Sequence, residues 1–383
     1  VGRWGVRVAC RAARRFAYAD VLSLQTFQEY RSEFGPERLK PALAVLDQEP
    51  LLTAKDIELL LWASHYYHHP VGEVLMTALP VLLRQGRSTE LAQEMVYVLT
   101  EQGRQTDLQS LKRAVRQQAL LHWFRVQSRA ITLEELAEEK TALKALLAKG
   151  LVAQQLAEAS EQLPDLISQP ALAANQQQQQ AIDSIIEHLG GFKALLLEGV
   201  TGSGKTEVYM QVISAVLERQ QQVLVLLPEI SLTPQLEQRF RQRFSVPIVS
   251  YHSKLTDKQR LNAWLQMQQG RAAIMLGTRS ALFTPLARPG LLILDEEHDS
   301  SFKQQEGFRF SARDVAIARA QKLQIPVVLG TATPSLESLL NVQRQRYQGL
   351  YLPSRAGKAV APRFQLLDIR NKRMQGGLSE QLI

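Results

Sequence analysis

The stretch LLLEGVTGSGKTEVY, Leu195 to Tyr209, passes from an apolar run into glycines, a lysine and a threonine. Gly199-Val200-Thr201-Gly202-Ser203-Gly204-Lys205-Thr206 fills the pattern G-x-x-x-x-G-K-[ST] at every position and lies between a predicted strand and a predicted helix. Glycines let backbone amides wrap an anion at a helix N-terminus, Lys205 reaches β and γ phosphates, and the Thr206 hydroxyl takes magnesium. Gly199, Thr201, Gly202, Ser203, Gly204, Lys205 and Thr206 are therefore candidate ATP contacts, with Thr206 a candidate metal ligand. The motif also fixes a local order of strand, loop and helix.

The pattern around it extends that order. Apolar segments at Ala194 to Leu197, Val223 to Leu227, Ala272 to Leu276, Leu291 to Leu294 and Val327 to Leu329 alternate with helical periodicity. Continuous apolar strands separated by helices predict a parallel α/β sheet covered on both faces. Asn175 to Gln180, NQQQQQ, is of low complexity but leads into helical spacing from Ala181 to Leu189, so it is read as a helix start.

Upstream, Gly5 to Val8 and Phe16 to Leu24 are β-like, and Lys55 to Tyr67 and Val74 to Leu83 have helical spacing, which makes 1–87 a small mixed domain. Residues 88–162 are expected to be mainly helical, over Glu90 to Thr100, Leu108 to Val126 and from Thr132 to a stop at Gly150. Thr132 and Glu135 have capping-box spacing. A winged-helix unit and a plain three-helix bundle both fit. Proline and small residues at 163–174 predict a linker, followed by a lobe over 175–365 and a short connection at 366–383.

Composition limits the class. The chain of 383 residues, 45% hydrophobic, can bury a large core, and no run approaches a membrane span. Five arginines without an acid in the first fifteen residues do not make a signal peptide, so a cytoplasmic location is expected. One cysteine, Cys10, excludes an internal disulfide framework and a cysteine-built zinc site. Val1 in place of a methionine suggests a processed or truncated product. The net charge is +8, and residues 301–383, with 13 basic and 5 acidic side chains, carry all of the excess. That distribution suits a polyanion such as nucleic acid, and equally a solvated basic surface. His65, His68 and His69, among tyrosines at helical spacing, read as packing or surface residues before metal ligands.

LLILDEEHDS ends a later apolar strand and offers the second carboxylate that a phosphate loop needs: Asp295 for magnesium, Glu296 for the attacking water. The form D-E-x-H, with His298, resembles the helicases and translocases of superfamily two. LPEISLTPQL, LGTRSALF and GTATPSLESL follow in the order of that family's motifs Ia, Ib and III. The resemblance implies a RecA-like parallel-sheet ATPase lobe using ATP and Mg2+, with Thr233, Gln235, Thr278, Arg279 and Ser280 along a DNA backbone. It also implies that His298, Thr331 and Thr333 relay the nucleotide state.

SFKQQEGFRFSARD interleaves Phe302, Phe308 and Phe310 with Lys303, Arg309 and Arg313, a mixture suited to stacked bases and neutralised phosphates, the alternative being a plain hydrophobic anchor for a surface loop. With GVTGSGKTEVY, GTRSALFTP and DEEHDSS, it resembles the PriA family of primosomal replication-restart helicases, in which such a loop couples DNA binding to ATP hydrolysis. The resemblance further implies a 3′-end DNA-binding domain in 1–87 with Lys40 at its pocket, though the family's opening strand is missing, and a winged helix in 88–162. It places an adenine-reading glutamine at Gln178.

Forked or branched DNA, single-stranded DNA, single-strand-binding protein and primosome proteins would be the partners, in the cytoplasm at the nucleoid, with no membrane. The second helicase lobe, its transition-state arginine and the zinc cysteines of the family do not appear after Thr333. The chain alone is then expected to hydrolyse ATP poorly and not to unwind. A fork-binding platform without turnover, or another superfamily-two motor of RecG type, are the alternatives.

Overall fold

The computed structural model describes residues 7–12, 15–20, 42–47, 49–89, 95–112, 114–126, 131–132, 136, 139–156, 169–356, 368–370, 374–376 and 378–379. Lys40, half of the expected linker and most of 366–383 lie outside them.

Seven parallel strands build the central sheet: β7 (Ala194–Gly199), β8 (Gln222–Leu226), β9 (Ile248–Tyr251), β10 (Ile274–Gly277), β11 (Pro289–Asp295), β12 (Val327–Thr331) and β13 (Gln348–Leu352). Their spatial order is β13-β7-β12-β11-β8-β10-β9. The five strands expected from apolar runs are there. The two missed, β9 and β13, are the sheet's edges, where half-exposed residues interrupt the apolar pattern.

Alternation along the strands sorts side chains onto two faces. Leu195, Leu197, Val223, Val225, Leu291 and Ile293 pack beneath α7 (Gln176–Glu187), α8 (Lys205–Glu218) and α9 (Pro234–Arg243). Leu196, Leu224, Leu226, Leu292, Leu294 and Leu329 face α10 (Asp257–Gln268) and α11 (Ala312–Leu323). The glutamine run does begin a helix. Asn175 caps α7, accepting from the Gln178 amide while the Gln178 side chain accepts from the amide of Asn175. A short α12 (Leu336–Gln343) precedes β13.

Three helices from the N-terminal region, α1 (Ala54–Tyr66), α2 (Val71–Ala78) and α3 (Val81–Arg84), belong to the same core as the second face of this sheet. Pro80 breaks the single helix expected over Val74 to Leu83, since it lacks an amide hydrogen and caps α3 instead. The attachment is specific. Trp264 donates its indole N–H to the carbonyl of Ala78 at 3.0 Å, and the buried Arg319 guanidinium donates to the carbonyls of Leu282 and Thr284. Arg319 also lies 3.8 Å from the carboxylate of Asp56. The helices of 1–87 therefore share a core with the lobe beyond residue 194, while the unit that follows residue 87 has a core of its own. Ahead of α1, β1 (Arg7–Ala12), β2 (Arg15–Asp20) and β3 (Ala42–Val45) make an antiparallel sheet of order β2-β1-β3.

The middle unit corrects the expectation of a mainly helical segment. Met95–Leu99, read as helix, is strand β4, pairing antiparallel with β5 (Ile131–Thr132) and β6 (Val152–Leu156). The sequence MVYVL is rich in β-branched and aromatic residues, which a pleated surface favours over a helix. Against this sheet lie α4 (Glu101–Gln105), α5 (Val115–Val126) and α6 (Lys140–Ala148), with Leu121, Phe124, Leu143 and Leu146 in a separate small core. Thr132 sits in β5 and does not start α6. Gly150 does stop it. At φ 67° it lets its own amide bond to Leu147 and that of Leu151 bond to Leu146, closing the helix end. A three-helix bundle is excluded.

Candidate nucleotide and DNA site

The phosphate loop occupies the turn from β7 into α8. Gly202 and Gly204 have φ of 81° and 85°, conformations open to glycine, and a Cβ on Gly204 would run into the Gln178 amide. The loop is braced from three sides. Ser203 N–H bonds to Val200 O at 2.9 Å, Ala356 N–H bonds to Gly202 O at 2.8 Å, and Gln178 donates its side-chain amide to Ser203 O at 2.8 Å. Gln178, expected to read adenine, is thus buried and committed to holding the loop. Its position in the first turn of α7 is what aims it there.

Lys205 Nζ donates to Gly199 O at 3.0 Å and lies 4.0 Å from the Glu296 carboxylate. The hydroxyl of Ser203 is buried without a hydrogen-bond partner. An unpartnered buried hydroxyl in a cradle of glycines at the N-terminus of α8 is what a bound phosphate would satisfy, so the residues fit ATP.

Asp295 ends β11, beside β12 and at the carboxyl end of the sheet. Tyr209, one turn along α8 from Lys205, donates its hydroxyl proton to Asp295 Oδ1 at 2.8 Å. Burial raises the pKa of Asp295 above the usual carboxylate range, with the neighbouring charge of Glu296 adding to it, while the Tyr209 hydrogen bond acts in the other direction. Burial and the adjacent Asp295 push the Tyr209 phenol well above 10. Its proton stays, and it remains a donor to the carboxylate. Thr206 and Asp295 supply hard oxygen donors of the kind magnesium takes. Glu296 follows at φ 49°, a left-handed backbone that a non-glycine residue rarely adopts.

His298 engages both threonines of the next motif. Its Nδ1 lies 2.9 Å from Thr331 Oγ1, and its Nε2 lies 3.2 Å from Thr333 Oγ1. Thr333 N–H donates to Thr331 Oγ1 at 3.0 Å, and Glu297 N–H donates to Gly330 O at 3.0 Å. The end of β11 and the end of β12 are therefore joined by side chains and backbone together.

The residues expected along a DNA strand divide into two sets. Gln235, Ser280, Lys303 and Arg309 are exposed; Thr233 caps α9 through the Leu236 amide, and Thr278 is buried. Arg279 is spent on the chain itself, donating to the carbonyls of Ser301 and Lys303 at 2.6 and 3.0 Å. Arg313 is likewise engaged, with Glu297 at 3.0 Å. Arg279 uses its Nη1 for these two bonds and is half-exposed, whereas Arg313 is mostly buried against Glu297.

The aromatic rings also depart from the reading of open stacking platforms. Phe302, Phe308 and Phe310 are 2%, 4% and 8% exposed. Phe308 and Phe310 stack on each other at 4.9 Å, Phe310 meets Phe283 at 5.2 Å, and Phe308 meets Tyr67 and His69 of the α1–α2 turn at 5.8 and 5.3 Å. Their apolar area is more stable against other rings than in water, so the loop folds inward. A cleft of about 740 Å³ remains beside them, walled by Met76, Phe283, Phe308 and Phe310, with Arg84 and Arg279 at its edge. His69 holds Glu73 at 2.8 Å, and among the described residues no histidine and carboxylate cluster able to hold a metal occurs.

Tyr209, Glu297 and Arg319 were not anticipated. Tyr209 had a signal, four residues beyond Lys205 on the same helix face. Glu297 fills the variable position of D-E-x-H, and Arg319 resembles any helix-surface arginine, so neither stands out from residue type.

Loop, carboxylates and histidine on a parallel α/β sheet define the class: a DEAD/DEAH box helicase lobe. Residues 175–342 match the family described as DEAD/DEAH box helicase, and residues 1–80 match that described as the 3′ DNA-binding domain of PriA. The chain is a relative of the replication restart protein PriA. It is 43% identical to that protein from Haemophilus influenzae over 92% of the chain and 49% of the relative. Against the Synechocystis protein the identity is 43% over 76% of the chain and 33% of the relative. Against the Bacillus subtilis protein it is 37% over 70% and 35%. The chain spans about half the length, or less, of these curated relatives.

Proposed function

We propose that this chain is the DNA-recognising and ATP-binding part of a replication-restart helicase, which engages stalled or abandoned forks, moves 3′ to 5′ and starts primosome reassembly. The observation that carries the reading is His298, whose two ring nitrogens tie the carboxylate motif to Thr331 and Thr333. A phosphate loop alone binds nucleotide; this bridge joins the nucleotide site to the motif expected to move with it.

In this reading, the amides of Gly202, Ser203 and Gly204 and the N-terminus of α8 hold the phosphates of ATP, and Lys205 leaves Gly199 O to pair with the β and γ oxygens. Thr206 and Asp295 would hold Mg2+, which when bound neutralises charge on the phosphates. Tyr209 fixes the rotamer of Asp295. Glu296, beside Lys205, orients the water. Lys303 and Arg309 supply phosphate contacts, with the exposed Gln235 and Ser280 lining the strand's course and the capping Thr233 and buried Thr278 shaping the segments beneath it. The 3′-end pocket with Lys40, the winged-helix role of the middle unit, and single-strand-binding and primosome proteins as partners rest on similarity to PriA. So does a cytoplasmic, nucleoid-associated location; among the described residues no helix is long and apolar enough to cross a membrane.

The test is ATP turnover by the chain, with and without a forked DNA carrying a 3′ end at its junction. Turnover raised by the fork supports a motor fragment. Fork binding with no turnover at any DNA concentration would replace it with a recognition platform.

A further inference from the structure

The aromatic loop, residues 301–314, is clasped at both ends. At its entry Arg279, from the segment after β10, holds the carbonyls of Ser301 and Lys303. At its exit Arg313 donates to Glu297 Oε2 at 3.0 Å and to Ser335 Oγ at 2.6 Å. Between them, Gln304 N–H bonds to Phe310 O at 2.9 Å, and Lys303 bridges Ser311, so the loop is a closed unit and not a loose tether.

The Glu297 carboxylate has no solvent exposure, and both of its oxygens are engaged. Its Oε1 accepts from Ser335 N–H at 2.8 Å, and its Oε2 accepts from Arg313 and from the Ser335 hydroxyl at 3.1 Å. Burial alone would lower the pKa of Arg313, yet the Glu297 hydrogen bond and the charge of Asp314 raise it on balance. Removing Arg313 would strand the Glu297 charge in a dry site, whereas Arg313 without Glu297 would keep Asp314 at 3.2 Å. Glu297 therefore cannot shift without carrying both Arg313 and the start of α12. It lies between Glu296 and His298, so a movement of the carboxylate motif on nucleotide binding reaches the far end of the loop through this side chain, as it reaches the near end along the chain, where Asp299 accepts from Ser301 N–H at 2.8 Å.

We propose that Glu297 and Arg313 form the positioning pair through which nucleotide occupancy and single-stranded DNA occupancy are linked. The proposal rests on the reading of the lobe as an ATP- and DNA-binding unit. Glu297 is sealed from solvent and Arg313 nearly so, and each sets the place of groups around it. The pair acts as a stiff element shared by two sites, which is what reciprocal coupling needs.

The experiment measures affinity of the chain for a fluorescein-labelled single-stranded oligonucleotide by anisotropy, with and without a non-hydrolysable ATP analogue and Mg2+. Wild type is expected to show an affinity ratio in the range of about 5- to 150-fold. Arg313→Gln and Glu297→Gln should bring that ratio to within about twofold of one, with the affinity for each ligand alone changed little. Arg313→Lys, which keeps the charge, should restore part of it. A purely structural role would instead lower the melting temperature and both separate affinities together, leaving the ratio. The pair is overturned if the variants keep the wild-type ratio, or if wild type binds both ligands with a ratio of one. Failure of wild type to bind either ligand would overturn the underlying reading of the lobe as well. Should Glu297→Gln not fold, the two Arg313 variants carry the same test.

Discussion

Tyr209 donates its hydroxyl proton to Oδ1 of Asp295 across 2.8 Å, joining the helix that follows the phosphate loop to the carboxylate expected to hold magnesium. Tyr209 is buried and Asp295 partly so, and the phenol is held in its neutral form. Outer-shell hydrogen bonds of this kind change metal affinity by about 10- to 100-fold. Tyr209→Phe keeps the ring and removes the donor. Its expected effect is a rise of about tenfold in the Mg2+ concentration that supports nucleotide binding, with the fold unchanged by circular dichroism. An unchanged Mg2+ requirement would show that Asp295 does not depend on this contact.

The same hydroxyl explains a glycine. A Cβ at Gly330, in the middle of the sheet, would collide with the Tyr209 oxygen and crowd Asp295. Gly330→Ala is expected to cost about 1–3 kcal/mol, the usual range for overpacking a core. In Gly330→Ala with Tyr209→Phe, much of that loss should return, and a thermal or denaturant melt of the three variants measures it. Equal losses in the single and double variants would place the strain elsewhere.

Arg319 joins α11 to the N-terminal helices from a fully buried position, donating to Leu282 O and Thr284 O and facing Asp56. Burial lowers its pKa, while Asp56 opposes the shift. Arg319→Ala leaves two buried carbonyls and a carboxylate without their cation, and should destabilise the chain by about 3–5 kcal/mol. Hydrogen exchange should rise first in α1 and α2. If exchange rises only in α11, the helices of the N-terminal region do not depend on this anchor.

The two kinds of residue in the aromatic loop should separate in solution. Lys303→Ala and Arg309→Ala remove exposed cations and are expected to lower the salt dependence of single-stranded DNA binding by about 0.7 per residue in log–log slope, with the melting temperature unmoved. Phe308→Ala with Phe310→Ala opens a buried cluster, so the melting temperature should fall and the dependence of nucleotide affinity on DNA should vanish. Alanine at Phe308 and Phe310 that left both properties intact would deny the rings any part in either.

What could be read in advance follows from how local each feature is. The phosphate loop, the strands beneath it and the D-E-x-H motif are contiguous patterns whose geometry is fixed within a few residues, and they lie where they were expected. The fate of Arg279 and Arg313 depended on residues tens of positions away. An arginine beside phenylalanines reads as a phosphate contact, and its type gives no sign that Arg279 also holds two loop carbonyls or that Arg313 also holds Glu297. Met95–Leu99 was misread because a short apolar run fits helix and strand alike, and its partner β6 lies more than fifty residues further on. The N-terminal helices show the same limit. Their apolar spacing was plain, but not that the sheet they cover belongs to residues beyond 194.

The central claim is that this lobe binds ATP through Lys205 and that DNA alters that binding. Equilibrium titration of a fluorescent ATP analogue with Mg2+ tests it most directly, on wild type and Lys205→Ala, with and without forked DNA. The account predicts saturable, Mg2+-dependent binding that the fork strengthens and that Lys205→Ala weakens by about tenfold or more, the loss of one strong charge-assisted contact. Binding indifferent to Lys205, or no binding by a folded wild-type chain, would contradict it.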